Sequence, residues 1–206
     1  SKSMATEEIH LNKTLEENGL HVRETDLGEW MLSVAGQRPS HMVLPAIHLD
    51  RHHCAKFFSD ELQREIPSDI SYMIQTARQV LREEFLSADM GITGANFGIA
   101  ENGAIGLVTN EGNARLVTTL PRIHVVILGY EKLVPKITDA AKILRLLPRN
   151  GTCQRMTSYM TMVDGPTPVI HKKDGAYVEE MRKVYYILLD NGRLKAAHHP
   201  RLKSVY

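Results

Sequence analysis

The chain has 206 residues, 43% hydrophobic and 24% charged, with 25 basic against 24 acidic side chains and a net charge of +1. That balance excludes a disordered chain, which needs low hydrophobicity and high net charge, and sequence-independent nucleic-acid binding, which draws on a basic excess. No apolar run approaches the ~20 residues of a membrane helix, the start SKSMATEEIH carries no secretory signal, and the two cysteines form neither a disulfide framework nor a metal-ligand pattern.

The expectation is a cytoplasmic globular domain with no membrane insertion and no nucleic-acid partner. Residues 4–18 read as a helix with Ile9 and Leu15 inward and Gly19 as its stop. Residues 21–24 read as a short strand, 27–35 as a helix ended by Gly36, and 41–44 as a strand. Asp50 caps a helix over 51–58, its carboxylate accepting the orphan N–H groups of the first turn. Ile70, Met73, Ile74, Ala77, Val80 and Leu81 follow helical spacing and predict a core-facing helix over 68–85. The run 123–128, between Pro121 and Gly129, is apolar apart from His124 and predicts a strand covered on both faces. Residues 131–147 read as a helix with Pro135 in its first turn. Residues 184–189, before Asn191-Gly192, read as the last strand. This alternation predicts an α/β domain with a largely parallel sheet and flanking helices.

The informative stretch is the centre. Six of the 14 glycines fall between Gly91 and Gly112, where the backbone must turn tightly or approach something closely. Asn102-Gly103, between β-like runs at 97–100 and 105–109, predicts a hairpin with a type I′ turn. Asn110-Glu111-Gly112-Asn113 is a second turn signal. Gly94, Asn96, Glu101, Asn102, Gly103, Asn110, Glu111, Asn113, Arg115, Thr118 and Thr119 surround these turns. Polar side chains on glycine-rich turns beside a buried sheet are a common way to build a ligand site. Asn and Gly are also ordinary turn formers whatever the function. Neither a G-x-G-x-x-G nor a G-x-x-x-x-G-K-[ST] spacing occurs, so no dinucleotide loop or P-loop is expected.

The run GANFGIAENGAIGLVTNEGNARLVTTLPRIHVVILGYEKLVP, then QRMTSYMTMVDGPT, resembles the lactate-utilisation (LUD) domain family, and within it the iron–sulfur-binding subunit. SKSMATEEIHLNKTLEENG, ETDLGEW and PSHMVLPAIH follow the same pattern in the same order, so the resemblance covers roughly residues 1–193. It implies a fold of the NagB/RpiA/CoA-transferase type and a place in a cytosolic three-protein system that oxidises L-lactate to pyruvate. The implied partners are sister subunits of that system and L-lactate or pyruvate. In the resembled subunit a helical region precedes SKSM and cysteine-rich ferredoxin-like motifs follow DNGR. On this basis residues 1–206 form a single LUD domain, shortened at both ends. Iron–sulfur clusters are expected in the full-length family member and not in this chain, because each cluster takes about four thiolates.

Ala100-Glu101-Asn102-Gly103 also resembles the Ser-Glu-Asn-Gly motif of family I CoA-transferases, which implies Glu101 as a covalent nucleophile. The alternative is a turn carboxylate. Arg115, Arg122 and Arg155 are candidates to pair with a small carboxylate in a bidentate way, against the simpler alternative of surface ion pairs. His48, His52 and His53 invite a metal reading, but Asp50 as the helix cap leaves His48 in the preceding loop, off the face of His52, and no further ligand at recognisable spacing follows, so no metal site is expected. His124 enters an apolar strand and reads as a hydrogen-bonded core histidine. Three functions therefore stand open. One is a LUD domain in lactate oxidation that binds a small carboxylate or assembles subunits. The others are a CoA-transferase-like enzyme and a non-catalytic assembly module.

Overall fold

The computed structural model describes residues 3–37, 40, 45–109, 112–157 and 159–202. The strand expected at 41–44 lies outside them. The first expected helix is two: α1 (Met4–Glu8) and α2 (Leu11–Glu17), broken where His10 takes a left-handed φ of 49°. A capping box between Ser3 and Thr6 starts α1, and the break lets it bury Ala5 and Thr6. Residues 21–24 join no sheet, which corrects the expected strand.

Helices α3 (Leu27–Ala35), α4 (Arg51–Leu62) and α5 (Ile70–Ser87) pack into one apolar cluster. Asp26, Asp50 and Asp69 cap them; Asp50 accepts the N–H groups of His52 and His53 at 2.8 and 2.9 Å. Gly36, at φ 62°, ends α3 as expected. At the centre of the cluster the rings of Trp30 and Phe58 meet edge to face, 5.3 Å apart. On α5 the buried face is Met73, Thr76 and Ala77, while Ile70 and Ile74 are 57% and 46% exposed. Two of the six residues of the apolar stripe that predicted the helix thus stay outside the core, while Val80 and Leu81 pack against it.

The strands in chain order are β1 (Met90–Thr93), β2 (Phe97–Ile99), β3 (Ile105–Thr109), β4 (Ile123–Gly129), β5 (Leu133–Val134), β6 (Tyr159–Val163), β7 (Pro168–Lys173), β8 (Ala176–Met181) and β9 (Lys183–Leu189). Between them lie α6 (Asn113–Thr119) and α7 (Ile137–Thr152), and α8 (Arg193–His198) follows. β1, β4 and β9 form a fully parallel sheet in that order. β5, β2, β3 and β6 form a mixed second sheet, and β7 and β8 a separate ribbon. The fold is α/β, with the parallel sheet flanked by helices. Ile105 and Leu107 of the second sheet pack on Val126 and Leu128 of β4, and Phe97 and Ile99 pack on α7 through Ala140.

The expected helix over 131–147 starts later than its pattern suggested. Residues 130–134 pass through a 3₁₀ turn and β5, whose Leu133 and Val134 pair with Gly98 and Ile99 of β2. Pro135 therefore precedes the helix cap Lys136. Sheet pairing won over helical periodicity there.

Two strands share an apolar character but not a fate. β4 is central and buried, as expected of a parallel strand covered on both faces. β9 is an edge strand, and Tyr185, Tyr186, Ile187 and Leu188 are 52%, 41%, 46% and 42% exposed.

Candidate functional site

The hairpin expected around Asn102-Gly103 is present, with β2 and β3 antiparallel. Its turn is not type I′, because Gly103 (φ 76°) takes a positive φ and Asn102 does not. The loop spans 100–103 instead. Gly103 N–H donates to the Ile99 carbonyl and Ile99 N–H to the Ala104 carbonyl, both at 2.8 Å. The Asn102 side-chain oxygen accepts from Ala104 N–H at 3.0 Å. The tip is pinned to the chain leaving β5, since Glu101 N–H donates to the Pro135 carbonyl at 3.2 Å. The Glu101 side chain itself is exposed. The cleft beneath the turn, lined by Gly103, Leu128, Leu133, Tyr186 and Leu188, is apolar and about 210 Å³ in volume. That falls below the ~300 Å³ at which small-molecule pockets usually begin.

Other members of the expected constellation serve the backbone. The Asn96 side-chain oxygen accepts from Val108 N–H at 2.8 Å and locks the hairpin. Gly94 is buried, with Ser3 packed against its α-carbon. The segment read as turns around Asn113, Arg115, Thr118 and Thr119 is helix α6, entered through Gly112 at φ 75°. Thr118 is buried and, with Thr119, donates its hydroxyl to the Arg115 carbonyl, at 2.9 and 2.7 Å. Asn113 accepts through its side chain from Ala114 N–H. Asn110 and Glu111 lie outside the described residues.

The candidates therefore do not form one site. The five residues of β3 separate the turn at Glu101 from the α6 end, a rise of about 14 Å. A ligand as small as lactate cannot bridge them. At the α6 end Arg115 is exposed, its guanidinium 5.0 Å from the centre of the Tyr159 ring. Among the described residues it has no carboxylate partner. Thr157, whose hydroxyl lies 3.4 Å from the Thr109 carbonyl, flanks the same edge. Arg155 precedes it on an exposed stretch. Arg122 instead faces Asp89 at 3.6 Å, the surface ion pair weighed for it.

Two arrangements had no sequence signal. At the carboxyl end of the parallel sheet Arg193 forks onto Glu8 (2.8 and 3.0 Å) and also contacts Glu131, with Asn191 donating to Glu8 at 3.1 Å. The Arg193 hydrogen bond, then that of Asn191, holds the Glu8 carboxyl below its ordinary value. A β-carbon at Gly129 would meet the side chains of Glu131 and Arg193, so a larger residue there would push this ion pair aside. The second arrangement is Arg182, 5% exposed, which donates to the carbonyls of Pro121 (2.8 Å) and Thr119 and to the Thr167 hydroxyl. It places a cation at the carbonyl end of α6, where the helix dipole favours positive charge.

His124 is the buried core histidine expected. Its Nε2 pairs with the Thr93 hydroxyl at 2.9 Å. Burial first, then the charge of Arg182, pushes its pKa down to about 4. His48 lies before α4, bonded to Gln37 and Ser40, and His53 faces Asp50. Among the described residues no cluster of three or more His, Cys, Asp or Glu side chains could hold a metal ion. Cys54 sits half-buried on α4, its thiol pushed up by burial and then by Asp50, and Cys153 is exposed at the end of α7. Two thiols on different elements do not fit a four-thiolate iron–sulfur cluster. No helix among the described residues is long and apolar enough to cross a membrane.

An α/β domain with a helix-flanked parallel sheet and this glycine-rich hairpin centre is a LUD domain: residues 2–188 match that family, and the chain belongs to it. Among known proteins it is 45% identical over 196 residues to "Lactate utilization protein B" of Macrococcus caseolyticus (strain JCSC5402), covering 95% of this chain and 40% of that one. It is 42% identical to the "Uncharacterized electron transport protein YkgF" of Escherichia coli (strain K12), covering 94% and 39%. It is also 42% identical to "Lactate utilization protein B" of Bacillus subtilis (strain 168). The chain thus spans about 40% of the length of these relatives. A crystal structure of a DUF162 family protein from Deinococcus radiodurans aligns over 91% of this chain and 99% of its own, with a TM-score of 0.37 and 14% identity.

Proposed function

We propose that this chain is the LUD portion of a protein acting in L-lactate oxidation, and that it recognises a small carboxylate at the Arg115 end of α6. The observation that carries the site is the Arg115 guanidinium, held over Tyr159 at 5.0 Å and without a carboxylate partner among the described residues. A planar cation with free donors pairs with a carboxylate in a fixed, two-pronged geometry. The relatives named for lactate utilisation support the substrate class. The electron-transfer chemistry belongs to parts or partners with more thiols than this chain has. A thermal melting screen with L-lactate, D-lactate, pyruvate and CoA tests the proposal. A ligand at a hundred times its Kd stabilises the fold by about 2.7 kcal/mol. A shift with L-lactate or pyruvate that disappears in Arg115→Ala supports the site, and no shift with either removes it.

A second reading, subunit assembly, rests on a different observation: the four exposed apolar side chains of edge strand β9. It predicts co-purification with sister subunits that Ile187→Lys abolishes. The CoA-transferase reading has less support. Its nucleophile needs a desolvated, positioned carboxylate, and Glu101 is exposed on a hairpin tip.

A further inference from the structure

Open α/β sheets present their ligands in the crevice outside the carboxyl ends of the parallel strands. In this chain α1 lies across that place. Ser3 packs against Gly94, just past β1, and Glu8 reaches Arg193 beside Gly129, the last residue of β4. α1 has five residues, far below the ~12–15 at which a helix becomes stable on its own. It buries only Ala5 and Thr6 and leaves Met4 58% exposed, and the left-handed backbone at His10 breaks it from α2. Its seat therefore depends strongly on Glu8.

What Glu8 meets there has the form of a carboxylate receptor. The two terminal nitrogens of Arg193 donate to its two oxygens at 3.0 and 2.8 Å, and the Asn191 amide adds a third donor at 3.1 Å. Lys132 contributes further positive charge at the same group. Behind the fork, Glu131 accepts from Arg193 Nε, and the Asp190 carbonyl accepts from a terminal nitrogen at 3.2 Å. The guanidinium is thus oriented from behind with its open end aimed at the carboxylate, which is the arrangement two-pronged recognition needs. Every donor comes from the segments after β4 and β9, and none from α1. The receptor is complete without the helix that fills it.

We propose that Arg193 and Asn191 form a binding site for the carboxylate of a small organic acid, and that Glu8 closes this site as a tethered competitor. The site is separate from Arg115. All measurements therefore use the 206-residue chain carrying Arg115→Ala, and failure here leaves the Arg115 reading untouched. The probe is sodium acetate, the size of the carboxyl end of Glu8, against sodium chloride at equal ionic strength. With Glu8 intact, acetate should raise amide hydrogen exchange across residues 3–9, because its binding releases α1. A ligand bound elsewhere would leave α1 seated. Glu8→Ala vacates the fork, and calorimetry should then find acetate bound about ten-fold more tightly, since the competitor is gone. Arg193→Lys in that background should lose the gain, because an ammonium lacks the fork. Far-UV circular dichroism checks each fold. If Glu8→Ala does not fold, Glu8→Gln, which keeps the shape and drops the charge, replaces it; if Arg193→Lys does not fold, Asn191→Ala does. Unchanged exchange across residues 3–9 overturns the proposal. So does equal acetate affinity with and without the Glu8 carboxylate, or a gain that survives loss of the donors.

Discussion

Arg193 and Glu8 stand 185 positions apart in the chain and meet in a two-pronged ion pair at 2.8 and 3.0 Å. The pair ties the helix after β9 to the first helix, over the carboxyl end of the parallel sheet. Both side chains are partly shielded, at 11% and 31% exposure, so the pair is worth more than a surface bridge but less than a buried one. Arg193→Met should lower stability by about 1–2 kcal/mol, or about 2–8 °C in Tm for a chain of this size. Glu8→Gln should cost less. Glu8 titrates below its ordinary value of 4.5, so its contribution is complete above that pH and lost as pH falls through the folded-state value. Urea melts of wild type and Glu8→Gln should therefore converge in acid. A constant gap down to acid pH would show that the charge is not the source.

His124 is shifted in the same direction as Glu8 but for a different reason. Its folded pKa of about 4 lies below the ordinary 6.5, because burial disfavours the imidazolium. Between these values the unfolded chain binds a proton that the folded chain refuses. Stability is then complete above pH 6.5 and falls as the pH drops toward 4, by about 3 kcal/mol in all. Unfolding free energies measured across that window should show this slope. His124→Gln should flatten it, at the cost of a lower plateau at neutral pH.

Arg182 satisfies three oxygens from one buried guanidinium, so truncation leaves two carbonyls and a hydroxyl without a donor. Arg182→Met should cost about 2–4 kcal/mol, read as a lower midpoint in urea. Arg182→Lys should not rescue it, since one ammonium cannot reproduce the spread of the fork.

The hairpin separates structural from dispensable polar groups. Asn96→Ala removes the acceptor of Val108 N–H and should destabilise by about 1–2 kcal/mol. Glu101→Gln, at an exposed turn, should stay within about 0.5 kcal/mol of wild type. A strong loss of folding in Glu101→Gln would show that the turn carboxylate has a partner within the fold.

Arg115→Ala tests the proposed carboxylate site without harming the fold. Its ring contact with Tyr159 is on the surface, so the stability loss should be about 0.5–1 kcal/mol. The melting shift with lactate or pyruvate should vanish. A shift that survives the substitution would move the ligand elsewhere.

What the sequence determined by itself was local. Asp50 caps α4 and Gly36 stops α3, because a carboxylate and a residue free to take positive φ act on their own neighbours. The apolar run at β4 announced a buried strand, and Asn102-Gly103 announced a hairpin. The LUD pattern was legible in long uninterrupted motifs, and the family match confirms it. Tertiary structure decided what depends on distant partners. Leu133 and Val134 became a strand because β2 offers them an edge, against their helical spacing. β4 and β9 are both apolar, yet one is central and one is an edge, because strand order is a global property. Glu101 and Arg115 looked like one constellation, until the length of β3 held them at opposite ends of a hairpin. Arg193 meeting Glu8, and Arg182 closing the end of α6, arise only when segments far apart in the chain fold together, and no spacing along the sequence encodes such meetings.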